Sequence, residues 1–121
     1  MKMEKQEINN AISEHALYKY KLNELIQKGK LDNPKAPCTD RDCAFGKWFF
    51  GGGVPPRYRS SAFYQDVKEL HSEFHTVACN VAGLATGGDR ETAEKMMDLD
   101  GEFSQASNKL MAALIKWRDN I

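Results

Sequence analysis

Apolar residues recur every three or four positions in three long stretches of the chain, which is the period of an amphipathic α-helix. The pattern predicts helices over about residues 4–28, 60–84 and 89–117. No strand-like alternation, internal repeat or low-complexity tract stands out. The residues that form the three apolar stripes are Ile8, Ala11, Ile12, His15, Tyr18, Leu22, Leu25 and Ile26; Phe63, Val67, Leu70, Phe74, Val77, Ala78 and Val81; and Ala93, Met97, Phe103, Ala106, Leu110, Ala113, Leu114 and Trp117.

Residues that favour helix ends flank these stretches. Gly29 is expected to stop the first helix, because glycine readily takes the backbone conformation that follows a helix. Ser60 or Ser61 is expected to begin the second helix, and Asp89 to cap the third. Gly101 is a weak point inside the third helix, since glycine is a poor helix former.

A shorter apolar stretch, residues 43–50, lies between the first two helices and is too brief for a long helix. A loop rich in Pro, Asp and Asn precedes it, in which Asp40 or Asp42 is a candidate N-cap. Three glycines and two prolines then follow and end the segment. Three long helices and one short one predict an all-α protein, an antiparallel bundle that forms one domain over residues 1–121.

Composition excludes several classes of protein. The chain has 121 residues, with 17 basic and 17 acidic side chains, so the strongly basic surface of a nucleic-acid-binding domain is absent. No apolar run approaches a membrane span of about 18 residues, and the N-terminus lacks a signal-peptide core. Three cysteines without a secretory context favour a reducing, cytoplasmic location, where cysteines serve as metal ligands, reactive thiols or core residues.

Four residues are candidate metal ligands: His15, Cys43, His71 and His75. The two histidines of the HSEFH segment are four positions apart, so on a helix their rings project from one face about one turn apart. His15 and Cys43 lie on other elements and can approach from across the bundle. Three imidazoles and one thiolate suit zinc. Four protein ligands leave no open position for water, which favours a structural or sensory site over a hydrolytic one.

Each of these residues also has a simpler interpretation. A single histidine on an apolar stripe, such as His15, is often a hydrogen-bonded core residue, and Cys43 alone is typical of a small buried side chain. The set is more informative than its members, since all three histidines lie on or at the edge of core-facing stripes and burying an imidazole without a partner costs free energy.

The other cysteines and nearby charges leave alternatives open. Cys79 is expected to be a packed thiol, although it could replace His71 as the partner of His75. Cys38 is expected to be a loop thiol, with a disulfide to Cys43 as the alternative if oxidation displaces zinc. Lys47, close to Cys43 in sequence, would favour a thiolate if it lay nearby. Asp40 or Asp42 could instead accept a hydrogen bond from a ligating imidazole.

The segment Cys43-Ala-Phe-Gly-Lys-Trp48, with a histidine in the upstream helix and HSEFH downstream, resembles the chemoreceptor zinc-binding (CZB) domain family. The family pattern maps onto His15, onto Cys43 with the Gly-Lys-Trp that follows it, and onto His71 and His75. Phe45 stands where leucine is common. The resemblance covers roughly residues 8–118 and includes the glycine-rich break after the motif.

The resemblance implies a four-helix bundle with a short extra helical segment that carries the cysteine motif, and one zinc ion held by the four candidate ligands. It also implies a sensory, non-enzymatic role in bacterial chemotaxis or cyclic-di-GMP signalling. The signal would be zinc itself or an oxidant that reacts with Cys43. A homodimer is expected by analogy, together with a chemoreceptor or diguanylate cyclase output domain, in cis or in trans. No nucleic-acid or membrane partner is expected.

The residue pattern supports three other functions less well. An enzyme with a Cys–His nucleophile would use Cys43, but no oxyanion-hole motif accompanies it. A di-iron bundle needs more histidines and bridging carboxylates than this pattern supplies. A metal-free helical interaction or dimerisation module is the main alternative, and metal analysis separates it from a zinc sensor.

Overall fold

A computed structural model describes residues 5–29, 38 and 43–120. Within these ranges the chain is helical and has no strand, which confirms the prediction of an all-α protein. The helices are α1 (Lys5–Lys28), α2 (Ala44–Phe50), α3 (Pro56–Arg59), α4 (Ala62–Thr86), α5 (Arg90–Met96) and α6 (Glu102–Arg118).

Three of the helix ends lie where the sequence predicts them. Gly29 follows α1 with φ of +72°, and its N–H donates to the carbonyl of Leu25. The Ser61 hydroxyl accepts the backbone N–H of Tyr64 at 3.2 Å and so caps α4. Asp89 caps α5. The two side-chain caps satisfy N–H groups that have no partner inside a helix, and the Gly29 N–H satisfies a carbonyl of the last turn of α1.

The prediction of one continuous third helix was wrong, because this part of the chain forms two helices, α5 and α6. α5 ends at Met96, and Gly101 is the N-cap of α6 in an extended conformation. A side chain at Gly101 would collide with the backbone carbonyl oxygens of Lys95 and Met96. The close approach of Gly101 to the end of α5 therefore requires glycine. The chain turns at this position instead of continuing as a helix.

The segment after α2 also contains a turn of helix that the sequence pattern did not predict. The glycines end α2, and Gly53 packs directly against the indole of Trp48. Pro56 then begins α3. Proline is favoured at the first position of a helix, where its missing N–H needs no partner.

The long helices α1, α4 and α6 pack against one another. Arg118, the last residue of α6, donates to Asn9 near the start of α1 at 3.0 Å. Arg90, the first residue of α5, donates to Gln27 near the end of α1 at 2.8 Å. α5 and α6 therefore run antiparallel to α1.

Aromatic contacts fix the other directions. The ring of Tyr64 near the start of α4 lies 6.2 Å from that of Trp117 near the end of α6, so α4 is also antiparallel to α6. Phe49 of α2 stacks on Tyr64 at 4.2 Å between centroids and also approaches Trp117. These contacts hold the short α2 against the bundle. No helix of the described ranges is long and apolar enough to cross a membrane.

Candidate metal centre

The four residues that the sequence selects as metal ligands meet at one place in the bundle. His15 comes from the middle of α1, Cys43 is the N-cap of α2, and His71 and His75 lie one turn apart on α4. The histidines are 1%, 0% and 1% exposed, respectively. The sequence pattern placed His71 and His75 at the edge of the apolar stripe, whereas the structure places both inside the buried face.

The donor atoms converge. His71 Nε2 lies 3.0 Å from His15 Nε2, 3.1 Å from His75 Nε2 and 3.5 Å from Cys43 Sγ. All four donor atoms lie within 4.8 Å of one another. Around a tetrahedral zinc with bonds of about 2.0 Å to nitrogen and about 2.3 Å to sulfur, adjacent donors are roughly 3.3–3.6 Å apart. The three distances from His71 Nε2 are close to that spacing, and the other donor pairs lie within 4.8 Å.

A backbone hydrogen bond determines which nitrogen of His15 faces the cluster. His15 Nδ1 lies 2.7 Å from the carbonyl oxygen of Ala11, one turn earlier on α1. A carbonyl only accepts, so Nδ1 carries the proton and donates it. The other nitrogen, Nε2, then presents a lone pair to the cluster. A hydrogen bond of this kind is typical of metal-ligating histidines.

The remaining ring nitrogens are consistent with a cation at the centre. Three Nε2 atoms lie together, and a neutral imidazole carries only one N–H. The N–H of His15 is already directed to Ala11, and His71 Nδ1 is buried without a hydrogen-bond partner in the described part of the chain. Lone pairs that face one another at about 3 Å repel unless a proton or a metal ion lies between them. The chemistry and placement of the donors fit Zn²⁺.

Burial keeps the imidazoles of His15 and His71 neutral. Removal from water lowers the pKa of His15 to about 4, against the raising effect of its bond to Ala11. Burial also lowers the pKa of His71 to about 2, with further lowering by His15 and His75. A neutral imidazole is the form that binds a metal, so protons do not compete for these two sites at neutral pH.

The pKa of the Cys43 thiol is raised, and the neutral, protonated form of this side chain does not bind a metal. Burial raises its pKa to about 11, and the nearby Glu14 carboxylate, which accepts a hydrogen bond from the thiol, raises it further. The N–H of Gly46 donates to Sγ at 3.2 Å and lowers the pKa. Lys47 is exposed and is not one of the groups that shift the pKa of Cys43. Without a metal, Cys43 is therefore a protonated thiol at neutral pH.

Sequence reasoning missed Glu14. It is adjacent to His15 in the sequence, but its approach to Cys43 depends on how α2 packs against α1. Glu14 also lines a small surface cleft with Glu7, Asn10, Ala11, Phe45 and Trp48. The predicted N-cap of α2 was also wrong: Cys43 caps the helix through its own sulfur, and Asp40 and Asp42 lie outside the described residues.

The expectations for the other two cysteines were wrong. Cys38 and Cys79 are neither free thiols nor ligands: they form a disulfide with each other. Of the cysteines, only Cys43 is free. Sequence spacing placed Cys79 one turn beyond His75. It could not show that Cys38 lies next to Cys79, because that contact depends on the path of the chain in three dimensions.

The model of the chemoreceptor zinc-binding domain family matches residues 15–82, which is more than half of the chain and includes all four candidate ligands. The protein belongs to this family. Its members are regulatory sensory domains rather than enzymes. A search of curated proteins and a search of solved structures each find no match.

Zinc binding is expected to release about one proton per metal ion at pH 7.5. Cys43 must lose its proton to become a ligand, whereas His15 and His71 are already neutral. Because the pKa of Cys43 lies near 11, zinc affinity should rise about tenfold per pH unit between pH 7 and pH 8.5, and fall correspondingly as the pH falls. Calorimetric titration in buffers of different ionisation enthalpy counts the protons.

The matched control is Cys43→Ser, whose hydroxyl does not ionise in this range. Any residual zinc binding by the variant should release close to no protons and show a flat pH dependence. Equal proton release by wild type and variant would mean that Cys43 does not bind the metal as a thiolate.

Proposed function

We propose that this protein is a cytoplasmic zinc-binding sensory domain of bacterial signal transduction, which responds to zinc or to oxidants through Cys43. The observation that carries the proposal is the convergence of His15, Cys43, His71 and His75, with His15 Nδ1 committed to Ala11 so that Nε2 faces the cluster. Membership of the chemoreceptor zinc-binding family supports the choice of metal.

The four side chains would hold zinc through three Nε2 atoms and Sγ. When bound, zinc stabilises the thiolate of Cys43 at neutral pH, which is also the form that oxidants attack. Hypochlorous acid is one such oxidant: the thiolate sulfur takes its chlorine and hydroxide leaves, and water then displaces chloride to give a sulfenic acid. Cys43 is only partly buried, so a small oxidant can reach it.

α2 is the element that would convert this chemistry into a change of structure. Cys43 caps it, and Phe45 lies against the rings of both His15 and His71. Loss of the bond to Cys43 removes one of the interactions that hold α2 on α1 and α4. The helix would still be held by the packing of Phe45 and Phe49 in the core, but its position could shift.

The proposal includes the partner domain that receives the signal. A chemoreceptor or a diguanylate cyclase, joined in cis or acting in trans, would read the position of α2, and the signal would pass to chemotaxis or to cyclic-di-GMP synthesis. We also propose that the domain acts as a homodimer, without enzymatic activity and without nucleic-acid or membrane partners.

The first test is the metal content of protein purified without added metal, followed by a zinc titration against a chromophoric chelator. We expect one zinc per chain. Cys43→Ser should weaken binding by about a hundredfold, since structural zinc sites derive roughly 3 kcal/mol from each of four ligands.

The matched control is Lys47→Ala, which removes an exposed side chain from the same helix and should keep wild-type affinity. Protein without metal, or an affinity that Cys43→Ser leaves unchanged, would contradict the proposal. It would favour the alternative of a metal-free helical interaction or dimerisation module.

A further inference from the structure

The disulfide between Cys38 and Cys79 lies beside the candidate metal centre. Cys79 is one turn beyond His75 on α4, and Cys38 precedes Cys43 by five residues in the sequence. The bond brings the two Cα atoms to 4.4 Å and joins residues 41 positions apart. Three of the four candidate ligands, all but His15, lie within the loop that it closes.

The disulfide is accessible to a reductant. Cys38 is exposed and Cys79 is half-buried. In the cytoplasmic location proposed above, disulfides are rare and usually serve redox sensing rather than structure. The exposure of Cys38 distinguishes this bond from the buried disulfides that stabilise secreted domains, and the proposed location points to the same difference.

We propose that Cys38 and Cys79 form a second redox site, a reversible disulfide that raises the affinity of the neighbouring centre for zinc. The reductant would be a dithiol. One of its thiolates attacks the exposed Sγ of Cys38, the Cys38–Cys79 bond breaks, and the sulfur of Cys79 leaves and takes up a proton. The second thiolate of the reductant then displaces Cys38, which is protonated in turn. The reductant leaves as a disulfide, and two electrons and two protons have passed to the protein.

The coupling to zinc follows from the length of chain that holds Cys43. With the disulfide formed, Cys43 lies five positions along the chain from Cys38, which the bond joins to α4. With the disulfide reduced, the chain before Cys43 next joins a helix at Gly29, the residue that follows α1, 14 positions away. The entropic cost of bringing loop ends together grows with the logarithm of loop length, with a coefficient of three-halves RT. The shorter tether therefore favours return of Cys43 to the metal by about fivefold.

Thermodynamic linkage gives a second, independent measurement of the same quantity. If the disulfide raises zinc affinity by a given factor, zinc must raise the equilibrium constant for disulfide formation by that factor. A fivefold coupling corresponds to about 20 mV in the midpoint potential of this two-electron couple, with bound zinc making the disulfide harder to reduce.

The first arm of the test compares the zinc affinity of the oxidised protein with that of Cys38→Ser, an exposed substitution that leaves all four donors in place. We expect about fivefold weaker binding in the variant, and the same from Cys79→Ser. The second arm equilibrates the wild type in glutathione buffers with free zinc set by a chelator, and counts alkylated cysteines by mass spectrometry. We expect a midpoint about 20 mV lower with zinc than without it.

Cys43→Ser is the control for the second arm, because it keeps the disulfide and should make the midpoint insensitive to zinc. Equal zinc affinities in the first arm, or a zinc-loaded wild type with an unshifted midpoint, would overturn the coupling. A disulfide that stays closed in the most reducing buffer would overturn the redox site. The coupling rests on the proposed zinc site: if no zinc binds, the proposed function and the coupling both fail, while the midpoint still decides whether the pair is reversible.

Discussion

Removing zinc from the wild-type protein is expected to lower its thermal unfolding midpoint by about 12–20 °C. The candidate ligands join α1, the start of α2 and α4, so the free energy of metal binding is also free energy of folding. At a free zinc concentration a thousand times the dissociation constant, binding contributes about 4 kcal/mol. For a domain of this size, each kcal/mol corresponds to roughly 3–5 °C.

Circular dichroism of the zinc-loaded protein, with and without a strong chelator, measures this shift. Cys43→Ser at the same free zinc is the control, and chelator should change its midpoint far less. The wild-type midpoint should return when zinc is added back in excess. A chelator-insensitive wild type would show that the bundle is held by its apolar core alone and that the cluster contributes nothing to folding.

His71→Leu is expected to stabilise the metal-free protein and to weaken its binding of zinc. Without metal, His71 is a buried imidazole whose Nδ1 has no partner in the described part of the chain, and it faces two other rings. Replacing it with an apolar side chain of similar size removes that penalty and should raise the free energy of unfolding of the metal-free protein by about 1–3 kcal/mol. Zinc affinity should fall by at least about a hundredfold, because the central donor is lost.

Chemical denaturation of wild type and variant, each with zinc and with chelator, gives the four values needed. Leu110→Ala serves as a control at a fully buried position of α6 outside the cluster, and should lower the stability of both forms by a similar 2–5 kcal/mol. If His71→Leu destabilised the metal-free protein as much as the zinc-loaded one, His71 would be a core residue that packing requires, not a ligand kept at a cost to stability.

The sequence predicts the local features of the fold well. A period of three to four residues identifies α1 and α4, because side-chain direction on a helix follows from spacing alone. The predicted stripe contains all seven buried positions of α1 but only four of the nine in α4. The same spacing puts His71 and His75 side by side before any tertiary contact is known. Caps such as Ser61 and Asp89 can also be predicted, since their hydrogen bonds reach only three residues along the chain.

The candidate site was predictable as a set of residues because zinc ligands belong to few chemical types. His15, Cys43, His71 and His75 carry the resemblance to the zinc-binding family, and the structure brings their donor atoms together. The sequence could not show which nitrogen of His15 faces the cluster, because that depends on the rotation of the ring toward Ala11.

Only the tertiary structure shows contacts between residues far apart in the sequence and close contacts between backbones. Glu14 approaches Cys43 because α2 packs on α1, and Cys38 pairs with Cys79 across 41 positions. The break at Gly101 depends on two carbonyl groups that leave no room for a side chain. Helical periodicity contains no information about such approaches, because it fixes the face of each helix but not the distance between elements. The sequence alone determined α1, α4 and the candidate ligands, and the packing of the helices decided the electrostatics of the thiol and its neighbouring disulfide.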